Sequence, residues 1–173
     1  MDAASPWLTE QQQHVWRRWL ALNARLPAAL HRELQADAGL SLQDYDVLVR
    51  LTDTAEGRMR VSDLARALQW ERSRLSHHVT RMASRGLVER EECSDDGRGA
   101  FIVLTPAGRA TIEQAAPAHV GTVRRLVFDS LSEEELDSLA AITDKVLTQL
   151  ERDAMSAYSS ACRGAYEYSC RGD

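Results

Sequence analysis

Apolar residues recur at helical spacing along most of the chain. Val15, Trp16, Trp19, Leu20, Leu22, Leu26, Leu30 and Leu34 mark a first long helix, opened by Thr9 with Gln12 three residues on, the spacing of a capping box. Pro27 falls inside this run, and because proline has no backbone N–H it predicts a kink or a split there. Gly39 ends the segment and Ser41 caps a second helix, whose Leu42, Tyr45, Val47, Leu48 and Leu51 carry it to about Thr54. A short turn around Glu56 and Gly57 follows.

From Val61 the pattern tightens. Val61, Leu64, Ala65 and Leu68 predict a short helix with Ser62 at or near its start, and Gln69 and Trp70 form the turn after it. The next helix runs from Glu71 or Arg72 to Arg85, with Leu75, Val79 and Met82 on one face and Gly86 closing it. Strand-like runs at 87–90 and 100–104 flank the polar stretch 94–99, which predicts a β-hairpin. Thr105 and Pro106 supply a cap and a first-turn proline for a long helix through Ala115, Val120, Val123, Leu126 and Val127, with Pro117 placed to bend it. Ser132 and Glu135 form another capping box, opening a last helix with Leu136, Leu139, Ile142, Val146, Leu147 and Leu150. The residues from 156 onward, rich in Ser, Gly and Tyr, read as a flexible, frayed tail.

Two short helices joined by a tight turn and followed by a hairpin define a mainly α (α+β) fold, a winged helix-turn-helix, whose second helix enters the major groove of DNA. On that helix Leu75, Val79 and Met82 pack inward, leaving Arg72, Ser73, Arg74, Ser76, His77, Thr80 and Arg81 for DNA. Arginine reads guanine through two hydrogen bonds, and Ser, Thr and His reach bases or phosphates. Arg98, flanked by glycines at the hairpin tip, is placed to reach the minor groove or the backbone.

Charge first argues against this reading and then for it. The chain of 173 residues has a formal net charge of −5, whereas a DNA binder must neutralise phosphates. The charge is unevenly spread: residues 57–110 balance at +3 and the rest at −8. Between Arg72 and Arg90 stand five arginines and one acid, Glu89. The bland alternative is a solvated helix face, but an arginine-tipped hairpin directly after the basic helix favours DNA. Hydrophobic residues at 44% and charged ones at 27% fit a globular chain. Short apolar runs, interrupted by Arg17 and Arg18, fit neither a signal peptide nor a membrane helix, so a cytoplasmic location is expected. Three cysteines, Cys93, Cys162 and Cys170, suit a reducing compartment and make no metal-like cluster. No metal, cofactor or enzymatic activity is expected: no phosphate-binding loop, nucleophile motif or metal-spaced His/Glu set is present.

The motifs Leu64-Ala65, Arg72-Ser73-Arg74-Leu75-Ser76, Arg81-Met82, Gly86-Leu87-Val88-Glu89-Arg90, Asp96-Gly97-Arg98-Gly99 and Leu104-Thr105-Pro106-Ala107-Gly108 resemble, in order and spacing, the MarR family of transcriptional regulators. The resemblance implies a homodimer with interlocked N- and C-terminal helices, bound to a palindromic double-stranded operator and often released by small phenolic or other aromatic effectors. It also implies that Asp96 orients Arg98 in the wing.

The residue pattern independently asks for a dimer, because the first helix and the last two carry wider apolar stripes than a small winged-helix core can cover. The organisation expected is therefore a helical dimerisation region from 1–40 and 106–155 around a DNA-binding region at 41–105. Two-fold pairing sets the recognition helices about 34 Å apart, so the operator is a pseudo-palindrome. An effector pocket between these regions would be lined by Trp16, Asn23, His31, Tyr45 and Trp70, the alternative being aromatics used for packing, which is the reading adopted for Trp19. Adjacent His77 and His78 point in different directions on a helix and do not suit a shared metal. Two other readings remain: a winged helix that docks only proteins, and a thiol-responsive regulator using Cys93, although neighbouring Glu91, Glu92, Asp95 and Asp96 would raise that thiol's pKa.

Overall fold

The computed structural model describes residues 6–92 and 99–169, with side chains through Ser156. The elements are α1 (Glu10–Ala38), α2 (Leu42–Thr52), β1 (Arg58–Arg60), α3 (Val61–Ala67), α4 (Arg72–Ser84), β2 (Val88–Glu92), β3 (Ala100–Leu104), α5 (Pro106–Val123), a π-helical turn (Arg124–Phe128) and α6 (Glu133–Ser169). They group into two compact units, Met1–Leu126 and Val127–Asp173.

The caps fall where the sequence places them. Thr9 and Gln12 exchange the two bonds of a capping box at the start of α1, and Gly39 closes that helix in the left-handed conformation at φ 63°. Helix α1 runs unbroken through Pro27, so the expected split is absent. A missing N–H removes one bond in a helix of 29 residues, and the turns on either side hold the helical path. Ser41 caps α2 with Asp44 as its box partner, and Thr105 caps α5, taking a hydrogen bond from Gly108 N–H at 2.9 Å.

The core of the first unit is a single apolar cluster. Leu34 and Leu40 from the α1–α2 corner, Val47, Leu48 and Leu51 from α2, Leu64 from α3, and Leu75, Val79 and Met82 from α4 meet Val88, Ile102, Leu104 and Ile112. Burying these side chains drives the helix-turn-helix and the sheet to fold as one piece.

The sheet is antiparallel in the order β1-β3-β2, with Val88 opposite Leu104 and Arg58 opposite Val103. Strand β1 is not evident in the sequence pattern, since three residues give too short an alternation to read. Where the sheet meets α5 the packing is close. The Thr105 hydroxyl lies 2.6 Å from Gly86 O and 3.1 Å from Leu87 O, and a Cβ on Gly108 would fall 2.0 Å from Leu87 O, so only glycine fits there. In the second unit, α6 continues as helical backbone to Ser169, through the stretch expected as a frayed tail, which no proline interrupts.

Candidate nucleic-acid interface

Helix α4 divides into two faces, as its spacing requires. Leu75 and Met82 are completely buried and Val79 nearly so, while Arg72, Ser73, Arg74, His77, Thr80 and Arg81 are exposed and Ser76 is half-buried. The helix is set by its turn: Gln69 takes a positive φ of 54° and Trp70 N–H donates to Ala65 O, reversing the chain within four residues of α3. The C-terminal end stops at Gly86, also left-handed at φ 71°, from which the chain enters β2.

Two of the exposed arginines are held by neighbouring rings. The Arg74 guanidinium lies 4.6 Å from the centre of the Trp70 ring, and Arg81 Nη2 is 3.1 Å from His78 Nδ1. Trp70 and His78 meet edge to face at 5.3 Å. Behind them sits Asp44, 4% exposed, whose Oδ2 accepts from Ser41 N–H at 2.9 Å and from Arg85 Nη1 at 2.8 Å. Asp44 Oδ1 is 3.0 Å from His78 Nε2, close though poorly aligned for a hydrogen bond. Arg85 also donates through Nη2 to Gly39 O, at the end of α1. Burial pushes the Asp44 carboxyl up, but the contacts from His78, Ser41 and Arg85 outweigh it and hold the group well below the usual carboxylate range. Arg74, Arg81, Arg85, His78, Asp44 and Trp70 line one open cleft of about 660 Å³.

A second cavity, of about 380 Å³, lies between α2, α3 and α5 and is lined by Tyr45, Asp46, Val49, Arg50, Ala67, Leu68 and His119. The Tyr45 and His119 rings are 4.2 Å apart. Burial raises the pKa of Asp46, against the pull of Arg50 and His119, and burial lowers that of His119, against the pull of Asp46.

Of the five residues expected around an effector, Tyr45 lines this second cavity and Trp70 the first, so the single chain does not gather them at one place. His31 accepts from Leu42 N–H through Nδ1, Asn23 donates to Trp19 O on its own helix, and Trp16 is exposed. The wing residues Asp96 and Arg98, with Cys93, lie outside the described residues, as do the Cys162 and Cys170 side chains. Residues that sequence reasoning passed over are Asp44, Arg85 and His119. The Ser41-x-x-Asp44 spacing does signal a cap, but the link from Asp44 to Arg85 joins positions 41 residues apart and leaves no local pattern.

Helix α3, its tight turn, α4 and the strands that follow make this chain a winged helix-turn-helix protein. The MarR family model matches residues 38–99. AbsC, a MarR family transcriptional regulator from Streptomyces coelicolor, is 42% identical, with 85% of this chain and 99% of AbsC covered and a TM-score of 0.79. Sco3205, a MarR family regulator from the same organism solved in complex with DNA, is 41% identical over 83% of this chain and 91% of that one, also at a TM-score of 0.79. The transcriptional repressor YetL of Bacillus subtilis is 27% identical over 115 residues, 66% of this chain and 68% of YetL. The chain belongs to the MarR family and is a transcriptional regulator of that family. Among the described residues no helix is long and apolar enough to cross a membrane.

Proposed function

We propose that this regulator binds a pseudo-palindromic operator as a homodimer, with α4 in the major groove of each half-site, and represses transcription until a small ligand releases it. The observation that carries the reading is the division of α4: its apolar residues are spent on the core, and Arg72, Ser73, Arg74, His77, Thr80 and Arg81 all face outward. In the proposed complex Arg74 and Arg81 read base edges, Ser73, Ser76, His77, Thr80 and Arg72 add base or phosphate contacts, and the wing carries Asp96 and Arg98 to the flanking groove or backbone. The relative Sco3205 was solved in complex with DNA, which supports DNA as the partner of this chain.

Exposed Val15, Trp16, Leu20 and Leu22 on α1, and Leu136, Ile142, Val146, Leu147 and Leu150 on α6, supply the apolar surface for the dimer, with 1–40 and 106–155 as its helical region. For the effector, the Tyr45–His119 cavity combines a ring, an imidazole, aliphatic Val49 and Leu68, and the charges of Asp46 and Arg50, which suits a small aromatic compound with a polar group. Trp70 of the neighbouring cleft, with Trp16, Asn23 and His31, extends the candidate set.

The test is selection of bound fragments from genomic DNA, followed by a screen for compounds that release them. The wild type is expected to select a two-fold symmetric sequence, and the Arg74→Ala, Arg81→Ala double variant to lose it. A double variant that shifts the selected fragment as well as the wild type does would remove α4 as the reading helix.

A further inference from the structure

Of the two arginines proposed to read DNA, Arg81 leans on His78 directly, and Arg74 rests on Trp70, whose ring packs edge-on against His78. His78 is buried, at 8% exposure, and it stands between Arg81 on its own helix and Asp44 at the start of α2. The contact with Arg81 fixes the imidazole chemistry. A guanidinium offers only N–H donors, so at 3.1 Å from Arg81 Nη2 the Nδ1 atom must present its lone pair. The neutral ring then carries its proton on Nε2, the atom 3.0 Å from the Asp44 carboxylate. The negative charge of Asp44 favours that tautomer, and so keeps Nδ1 an acceptor for Arg81. With the charge gone, the opposite tautomer points an N–H at the Arg81 N–H and pushes the guanidinium away.

The same carboxylate has a second hold on α4 through Arg85, one residue past the helix, whose other nitrogen grips Gly39 O at the end of α1. Trp70 completes the cluster, with its ring edge-on to His78 and under Arg74. The charged and titratable groups around His78 are thus Asp44 from α2 and Arg74, Arg81 and Arg85 from α4 and its end. An arginine already held in one geometry loses less conformational freedom when it meets a base, so the hold strengthens recognition without touching DNA.

We propose that Asp44 is a positioning residue for DNA recognition, acting through His78 on Arg81 and through Arg85 on the C-terminal end of α4. This rests on the reading of α4 as the DNA-contacting helix. Only the role of Asp44 is added, since its carboxylate lies in the cleft behind the exposed face.

The test uses the full-length protein and its selected operator fragment. Asp44→Asn keeps the shape of the side chain and removes its charge. It is expected to melt cooperatively, to bind the operator about tenfold more weakly, and to bind non-specific DNA within about twofold of wild type. In an Arg81→Ala background the same change is expected to cost clearly less than about tenfold, because one of the groups it positions is gone and only the hold through Arg85 is left. Nitrogen-15 spectra of His78 are expected to show the Nε2–H tautomer in the wild type and a mixture in Asp44→Asn. Should Asp44→Asn fail to fold, His78→Phe replaces it, keeping a ring against Trp70 while removing the acceptor for Arg81, and the same loss and the same non-additivity are required of it. Undiminished operator binding, losses that add to those of Arg81→Ala, or an Nδ1–H tautomer in the wild type would each overturn the proposal. A wild type that selects no sequence overturns the underlying reading and this one with it, whereas selection by the wild type with additive losses overturns this one alone.

Discussion

Leu75 and Arg74 are neighbours in sequence with opposite duties. Leu75 is completely buried in the core, so Leu75→Ala should cost about 2–5 kcal/mol of stability in a urea titration. Arg74 is exposed and rests on Trp70, so Arg74→Ala should cost no more than about 1 kcal/mol of stability, yet weaken operator binding by about 1–3 kcal/mol. Gly108→Ala should be worse than its size suggests, destabilising by about 3 kcal/mol or more, because the added methyl meets the Leu87 carbonyl rather than a side chain that can turn away. The inward residues of α4 and its outward polar face are legible in the sequence, since both follow from 3.6-residue spacing. The pairing of Asp44 with Arg85 and His78 is not, because it depends on α2 packing beside α4, which no local pattern encodes. Tyr45 is legible as an aromatic worth attention, but its partner His119 lies on another helix.

At the level of elements, the ionic tie between α2 and α4 has a direction in pH. The Asp44 carboxyl sits lower in the folded protein than in the unfolded chain, so it contributes stability that is complete above the unfolded value of about 4 and is lost as pH falls toward the folded one. Thermal melts between pH 5 and pH 3 should therefore fall more steeply for the wild type than for Asp44→Asn, and parallel curves would show that the tie contributes little. The helices are legible because their caps are local: Thr9 with Gln12, Ser41, Thr105 and Ser132 with Glu135 each announce a start. Strand β1 is hidden by its length and because its pairing is with β3, more than 40 residues on. Of the two outcomes expected at Pro27 the split does not occur, because the rule for proline is local while the length of α1 on both sides holds the helix together.

For the molecule as a whole, the proposed dimer makes a measurable demand. Positions 136, 139, 143, 146 and 150 of α6 alternate steps of three and four, and Leu136, Val146 and Leu150 on this stripe remain exposed. Sedimentation should show two copies per particle, and Val146→Glu with Leu150→Glu should yield a single copy that binds the operator more weakly, with the melting of the winged-helix unit retained. A wild type that sediments as one copy would remove the dimer. A different consequence follows from the grip of Arg85 on the last turn of α1 and on Asp44. The end of the DNA-reading helix is thereby tied to the long first helix by a hydrogen bond to Gly39 O at 2.7 Å and to α2 by the ion pair with Asp44 at 2.8 Å. A force on α1 that leaves this tie intact carries α4 along. A ligand that moves α1 by such a route would move the DNA-reading helix with it, and release would follow the fraction of chains that have bound ligand.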